Sequence, residues 1–235
     1  KLLSSADPAS AGPDVEGYGP MVPDPARLLD LPRGFSYRIV SRQGEPMSDG
    51  LLTPAAFDGM ASFPVRGAAN QVALVRNHEI WPNDKQGGAF HANGPTIPRT
   101  KIFDFAADGN PKFGGTSTLI WDMRAQRMVR SHLSLAGTCG NCPGGATPWG
   151  SWLSCEENTG LTPKRHGYVF EVPVNGASNA TPLVAMGRFN HEAAAVDHHG
   201  YVYLSEDATP GGWYRFTPTT QGMLADGGTL EMLAV

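Results

Sequence analysis

From residue 35 onward, short apolar runs alternate with clusters of turn-forming residues. Phe35–Ile39, Val72–Val75, Thr118–Trp121, Tyr168–Val172, Tyr201–Leu204 and Trp213–Phe216 are four or five residues long, rich in β-branched and aromatic side chains, and bounded by Gly, Pro, Asn or Asp. Runs this short and this punctuated read as strands, and no amphipathic helix of three turns is visible. With 29 glycines and 20 prolines, these two residues make up roughly a fifth of the chain, about twice their ordinary share. Charged residues are only 17%. Together these features exclude a coiled coil, a helical bundle and a highly charged disordered chain, and leave an all-β fold. No run approaches the ~20 apolar residues of a membrane-spanning helix, so no membrane partner is expected. The net charge is −4 and the basic residues are scattered, so no nucleic-acid surface is expected either.

Residues 1–34 are rich in Pro, Gly, Ser, Ala and Asp and read as an extended arm, with one helical turn expected at Ala26–Leu31. Residues 35–235 carry the strands. Asp108-Gly109-Asn110-Pro111 and His198-His199-Gly200 read as turns between them. Gly144-Gly145 and Gly211-Gly212 are also expected to be tight turns rather than phosphate cradles.

Acids gather where apolar runs end. Glu79 follows Val72–His78, Glu156 and Glu157 follow Trp152–Cys155, Glu206 and Asp207 follow Tyr201–Ser205, and Glu192 sits in Phe189-Asn190-His191-Glu192. Equivalent acids are about 77 and about 50 residues apart, loosely two blades and one blade of a propeller, whose strand ends meet around a central channel. Singly, each is an ordinary exposed acid. Converged, they would repel one another unless a cation or proton held them. Oxygen ligands suit calcium; carboxylate, thiolate or imidazole suits iron.

Cys139, Cys142 and Cys155 allow three readings: a structural zinc site completed by His132 or His166, buried or disulfide-bonded cysteines, or Cys142 as a thiolate metal ligand. His78 and His191 each precede a glutamate in Asn-His-Glu. Strand neighbours face opposite ways, so the glutamates are expected as ligands and the histidines as packing or supporting groups. There is no nucleophile elbow, P-loop, dinucleotide fingerprint or His-Glu-x-x-His.

Six segments in order carry a family resemblance: Asp58-Gly59-Met60, Leu74–Glu79, Ser134–Thr138, Asn141–Glu157, Gly187–Ala193 and Val202–Asp207. From about residue 17 to the end, the chain resembles PhoX-type alkaline phosphatases. The Asn141–Glu157 block is the most specific; Pro143 and Cys139 depart from the family pattern. The resemblance implies a secreted or periplasmic bacterial phosphomonoesterase, its leader removed, on a β-propeller. It implies an iron (Fe3+) and calcium (Ca2+) cluster acting on small phosphorylated substrates. Cys142 and Glu192 are implied as the catalytic residues. Glu79, Cys142, Glu156, Glu157, Glu192, Glu206 and Asp207 are implied as metal ligands, with Glu79, Glu192 and Glu206 the firmest of the carboxylates. A calcium-dependent propeller lactonase, with no use for Cys142, and a non-catalytic ligand-binding propeller are the competing readings.

A blade takes about 40–45 residues, and about 200 residues follow the arm, enough for four or five blades. A six-bladed ring needs roughly 250 or more. The expectation is therefore part of a ring, completed by another chain or by a C-terminal continuation.

Overall fold

The computed structural model describes residues 17–82, 84, 87–90, 97–160 and 164–234. The chain divides into two compact units, residues 1–40 and residues 41–235. In the first, β1 (Met21–Val22) and β2 (Leu31–Pro32) form a small antiparallel ribbon. The helical turn expected at Ala26–Leu31 is instead a turn organised by Asp24, whose carboxylate accepts the N–H groups of Ala26 (3.0 Å) and Leu28 (2.9 Å) and the Tyr37 hydroxyl (2.6 Å). The strand expected at Phe35–Ile39 does not form; its residues are exposed and pair with no strand.

Among the described residues, the second unit is all-β apart from three-residue 3-10 turns. β3 (Phe57–Pro64), β4 (Gln71–His78), β5 (Gly114–Asp122) and β6 (Arg127–Thr138) form an antiparallel meander in chain order. β7 (Asn141–Ala146), β8 (Ser151–Glu156) and β9 (Val169–Pro173) form a second meander. β10 (His191–Val196), β11 (Val202–Glu206), β12 (Trp213–Pro218) and β13 (Gly228–Met232) form a third. The second and third join through one parallel contact between β7 and β10, with Ala193 opposite Gly144, giving a seven-stranded sheet. β7 also packs against β3 and β4. The first strands of all three meanders therefore lie side by side.

This close approach explains the glycine pair at 144–145. Both lie within β7, not in a turn as the sequence suggests. A Cβ on Gly145 would overlap the carbonyl of Ala194 on β10, and one on Gly144 would overlap the carbonyl of Leu153 on β8. Gly59, in the Asp-Gly-Met segment, meets the backbone of Pro143 on β7 in the same way. Side chains are removed where the backbones of β3, β7, β8 and β10 crowd together.

The core lies between the meanders. Phe63, Val75, Phe103, Ile120, Trp152, Phe170 and Val172 pack the first against the second. Leu153, Cys155, Val169, Met186, Leu204 and Phe216 pack the second against the third. β8 is buried along its whole length. Its residues Trp152 and Ser154 face the first meander, while Leu153 and Cys155 face the third, as strand alternation requires. Each fully buried aromatic or branched side chain contributes roughly 1.5–3 kcal/mol.

Candidate metal centre

Strand ends deliver the acids. Glu79 follows β4, Cys142 is the second residue of β7, Glu157 follows β8, Glu192 is the second residue of β10, and Asp207 follows β11. Two groups of potential ligand atoms result, each lying within 4.8 Å: Glu79–Cys142–Glu157 and Glu157–Glu192–Asp207. Glu157 belongs to both. One group mixes sulfur with oxygen; the other is oxygen only. Residues from all three meanders meet here, because the first strands are adjacent.

The Cys142 thiol donates to Glu157 Oε2 at 2.9 Å. Burial pushes its pKa far up, and the charges of Glu157, Glu79 and Glu192 push it further. Burial likewise raises Glu79, with Asp58 adding to it, and raises Glu192, with Asp207, Asp58 and Glu79 adding to it. Glu157 is raised from 4.5 to about 7, first by burial, with the Asp207 hydrogen bond and the Glu192 charge acting the same way and the Cys142 hydrogen bond opposing. The charges that raise these groups are other acids. Such a cluster holds protons or a multivalent cation, and a cation would release the protons. The donor set fits metal: thiolate with carboxylates suits a transition ion such as iron, and the oxygen-only group suits a hard cation such as calcium.

A buried amide fixes the geometry beneath. Asn77 donates to the carbonyls of Cys142 and, at 3.3 Å, of Pro143. Its Oδ1 accepts from Trp152 Nε1 (2.9 Å) and Ser154 Oγ (2.8 Å). One side chain therefore ties β4 to β7 and β8 directly under Cys142.

The structure separates the adjacent glutamates that the sequence groups together. Glu157 joins the cluster. Glu156 points the other way and is fully buried, accepting from backbone N–H groups and from His166. Glu206 Oε2 accepts from Tyr214 Oη (2.9 Å) and Gly212 N–H (3.0 Å), and Glu206 falls outside both groups. Asp58 is the reverse case: it stands near enough to raise Glu79 and Glu192, and its signal is the Asp-Gly-Met segment rather than the strand-end pattern.

The histidines pack. His78 binds Ala55 O and Ser117 Oγ, both at 2.8 Å, and burial depresses its pKa to about 3. His191 lies 3.6 Å from the Phe189 ring, and burial depresses it to about 4. The zinc reading is corrected. All three cysteines are free and buried, and neither Cys139 nor Cys155 enters a ligand group among the described residues. His166 is committed to two carboxylates, and His132 Nε2 faces the Gly176 carbonyl at 3.4 Å. A disulfide is likewise absent among them, although Cys142 and Cys155 are paired in the β7–β8 register.

Comparison with known proteins bears on the family and the fold. The family model described as "Alkaline phosphatase PhoX" matches residues 16–235. Among solved structures the chain is similar to Pseudomonas fluorescens PhoX in complex with vanadate, a transition state analogue, at 18% identity and a TM-score of 0.58. The match covers 86% of this chain and 52% of that one, so this chain spans about half the length of that structure. At this identity the likeness speaks to the fold alone. No curated protein matches.

Proposed function

The chain belongs to the alkaline phosphatase PhoX family, and on that premise we propose that it forms part of a metal-dependent phosphomonoesterase acting on small phosphorylated substrates. The observation that carries the reading is the pair of ligand groups sharing Glu157, with Cys142 in one of them. We assign iron to Glu79–Cys142–Glu157 and calcium to Glu157–Glu192–Asp207. When bound, the metal ions would hold phosphoryl oxygens and neutralise the charge that develops on them. The chain's own groups do the rest. Cys142 gives up its proton to become a ligand, the carboxylates of Glu79, Glu192 and Asp207 orient around it, and Asn77 holds the Cys142 backbone still. Glu206, kept outside the two groups, is assigned to orienting Tyr214 rather than to a metal, and Glu156 to supporting the fold beneath the site.

In this reading the three meanders are blades of a propeller, six-bladed when complete. The remaining blades come from a C-terminal continuation or a complementary chain, in line with the half-length match. The protein is assigned to the periplasm or the secreted fraction. No helix of the described residues is long and apolar enough to cross a membrane.

The test is elemental analysis of the purified full-length protein with an assay on a chromogenic phosphate monoester at alkaline pH. Iron and calcium with turnover support the reading; calcium alone without phosphatase activity favours the lactonase. Cys142→Ala should lose its iron and roughly 100-fold or more of the activity. Full iron and full turnover in that variant would falsify the assignment.

A further inference from the structure

The cluster leaves out one buried carboxylate that has a chain of partners of its own. Glu156 Oε1 accepts the Cys139 N–H at 3.0 Å and His166 Nδ1–H at 2.6 Å. Its Oε2 accepts the N–H groups of Gly167 (3.0 Å) and Tyr168 (3.3 Å). On the far side, His166 Nε2–H donates to Asp104 Oδ2 at 3.1 Å. The three side chains are at most 3% exposed. Each ring nitrogen faces a carboxylate oxygen, so the imidazole bridges two acids. Phe103 packs edge-on against the ring, with centroids 5.0 Å apart.

This relay ends on the turn that delivers Cys142. Cys139 N–H is held by Glu156; the next residue, Gly140, donates its N–H to Ile80 O at 2.9 Å and accepts Glu157 N–H at 2.8 Å. The Cys139–Cys142 turn is thus clamped between the residue after Glu79 and the Glu156–Glu157 pair. A change in how Glu156 sits moves Cys139 and therefore the spacing of Cys142, Glu79 and Glu157.

We propose that Asp104–His166–Glu156 is a positioning relay for the metal centre, in which His166 orients Glu156 so that Glu156 fixes the turn carrying Cys142. Such outer supports of a metal site commonly matter about 10–100-fold in affinity. The proposal rests on the metal-centre reading above.

Two substitutions split the relay. In His166→Asn the amide nitrogen takes the place of Nδ1 and can keep the bond to Glu156. In His166→Gln it takes the place of Nε2, keeps Asp104 and loses Glu156. Iron per folded chain and iron affinity of the full-length protein are measured by elemental analysis and equilibrium dialysis, with circular dichroism reporting the fold. The expected result is His166→Asn close to wild type and His166→Gln weakened roughly tenfold or more. Wild-type affinity in His166→Gln, or equal loss in both variants, overturns the proposal. If neither variant folds, Glu156→Asp, whose carboxylate is one methylene short of the Cys139 N–H and the His166 ring, should weaken metal binding; unchanged affinity there overturns it. A wild-type protein that takes up neither ion overturns the metal-centre reading itself, a result distinct from wild type and both variants loading alike.

Discussion

Asn77 and Glu157 carry the sharpest residue-level consequences. Asn77 is fully buried and uses both ends of its amide. Asn77→Ala would strand the Trp152 indole N–H, at about 1–3 kcal/mol for a buried group left unsatisfied, and would leave the Ser154 hydroxyl with only the bond it accepts from Asn141 Nδ2. Urea unfolding should register that loss together with weaker metal uptake, since Cys142 loses its anchor. Glu157 is raised to about 7 from 4.5, so the metal-free fold holds a proton there that the unfolded chain does not. That contribution is fully present below about pH 4.5 and is lost as pH rises through about 7. A bound cation replaces the proton. Calcium should therefore raise the melting temperature more at about pH 8 than at about pH 5.5, and equal shifts at the two pH values would count against Glu157 as a ligand. The Glu156–Glu157 pair shows the limit of the sequence at this scale. Which of two adjacent acids enters the site depends on strand parity, and β8 is buried on both faces, so its pattern does not reveal the parity.

At the scale of elements, most strands are legible, because β-branched runs between turn residues have few alternatives. β4, β5, β9, β11 and β12 fall where the alternation predicts. Phe35–Ile39 has the same alternation yet joins no sheet among the described residues, because pattern reports a capacity to form a strand and not the presence of a neighbouring one. The pair Gly144-Gly145 resists reading for a related reason: glycine marks turns and close backbone approaches alike, and only the tertiary arrangement separates them. Gly145→Ala should destabilise by about 3 kcal/mol or more, since the Ala194 carbonyl occupies the space and backbone cannot yield as a side chain would. Gly176→Ala, at a position with nothing within 4 Å, should stay within about 0.5 kcal/mol of wild type. Denaturant midpoints of the two variants decide the point.

For the whole molecule, the convergence of acids is legible from their recurrence at strand ends, whereas the approach of Asp58 and the diversion of Glu206 are not, because both depend on how the meanders dock. The last strands leave Trp213, Met232 and Leu233 63%, 62% and 64% exposed, beside a cavity of about 460 Å³ that Tyr203 and Tyr214 also line. On the proposed half-ring, residues 1–235 alone should lack turnover, and size-exclusion chromatography should find them associated; an active monomer near 25.0 kDa would count against it. The spread of the ligands over three meanders has a further result for the life of the chain. During synthesis, Glu79 and Cys142 emerge well before Asp207 is available to join Glu157 and Glu192. The oxygen-only pocket cannot exist until the third meander has docked, so capture of that ion reports a finished scaffold, and chelation should loosen the docking of the meanders before it melts any one of them.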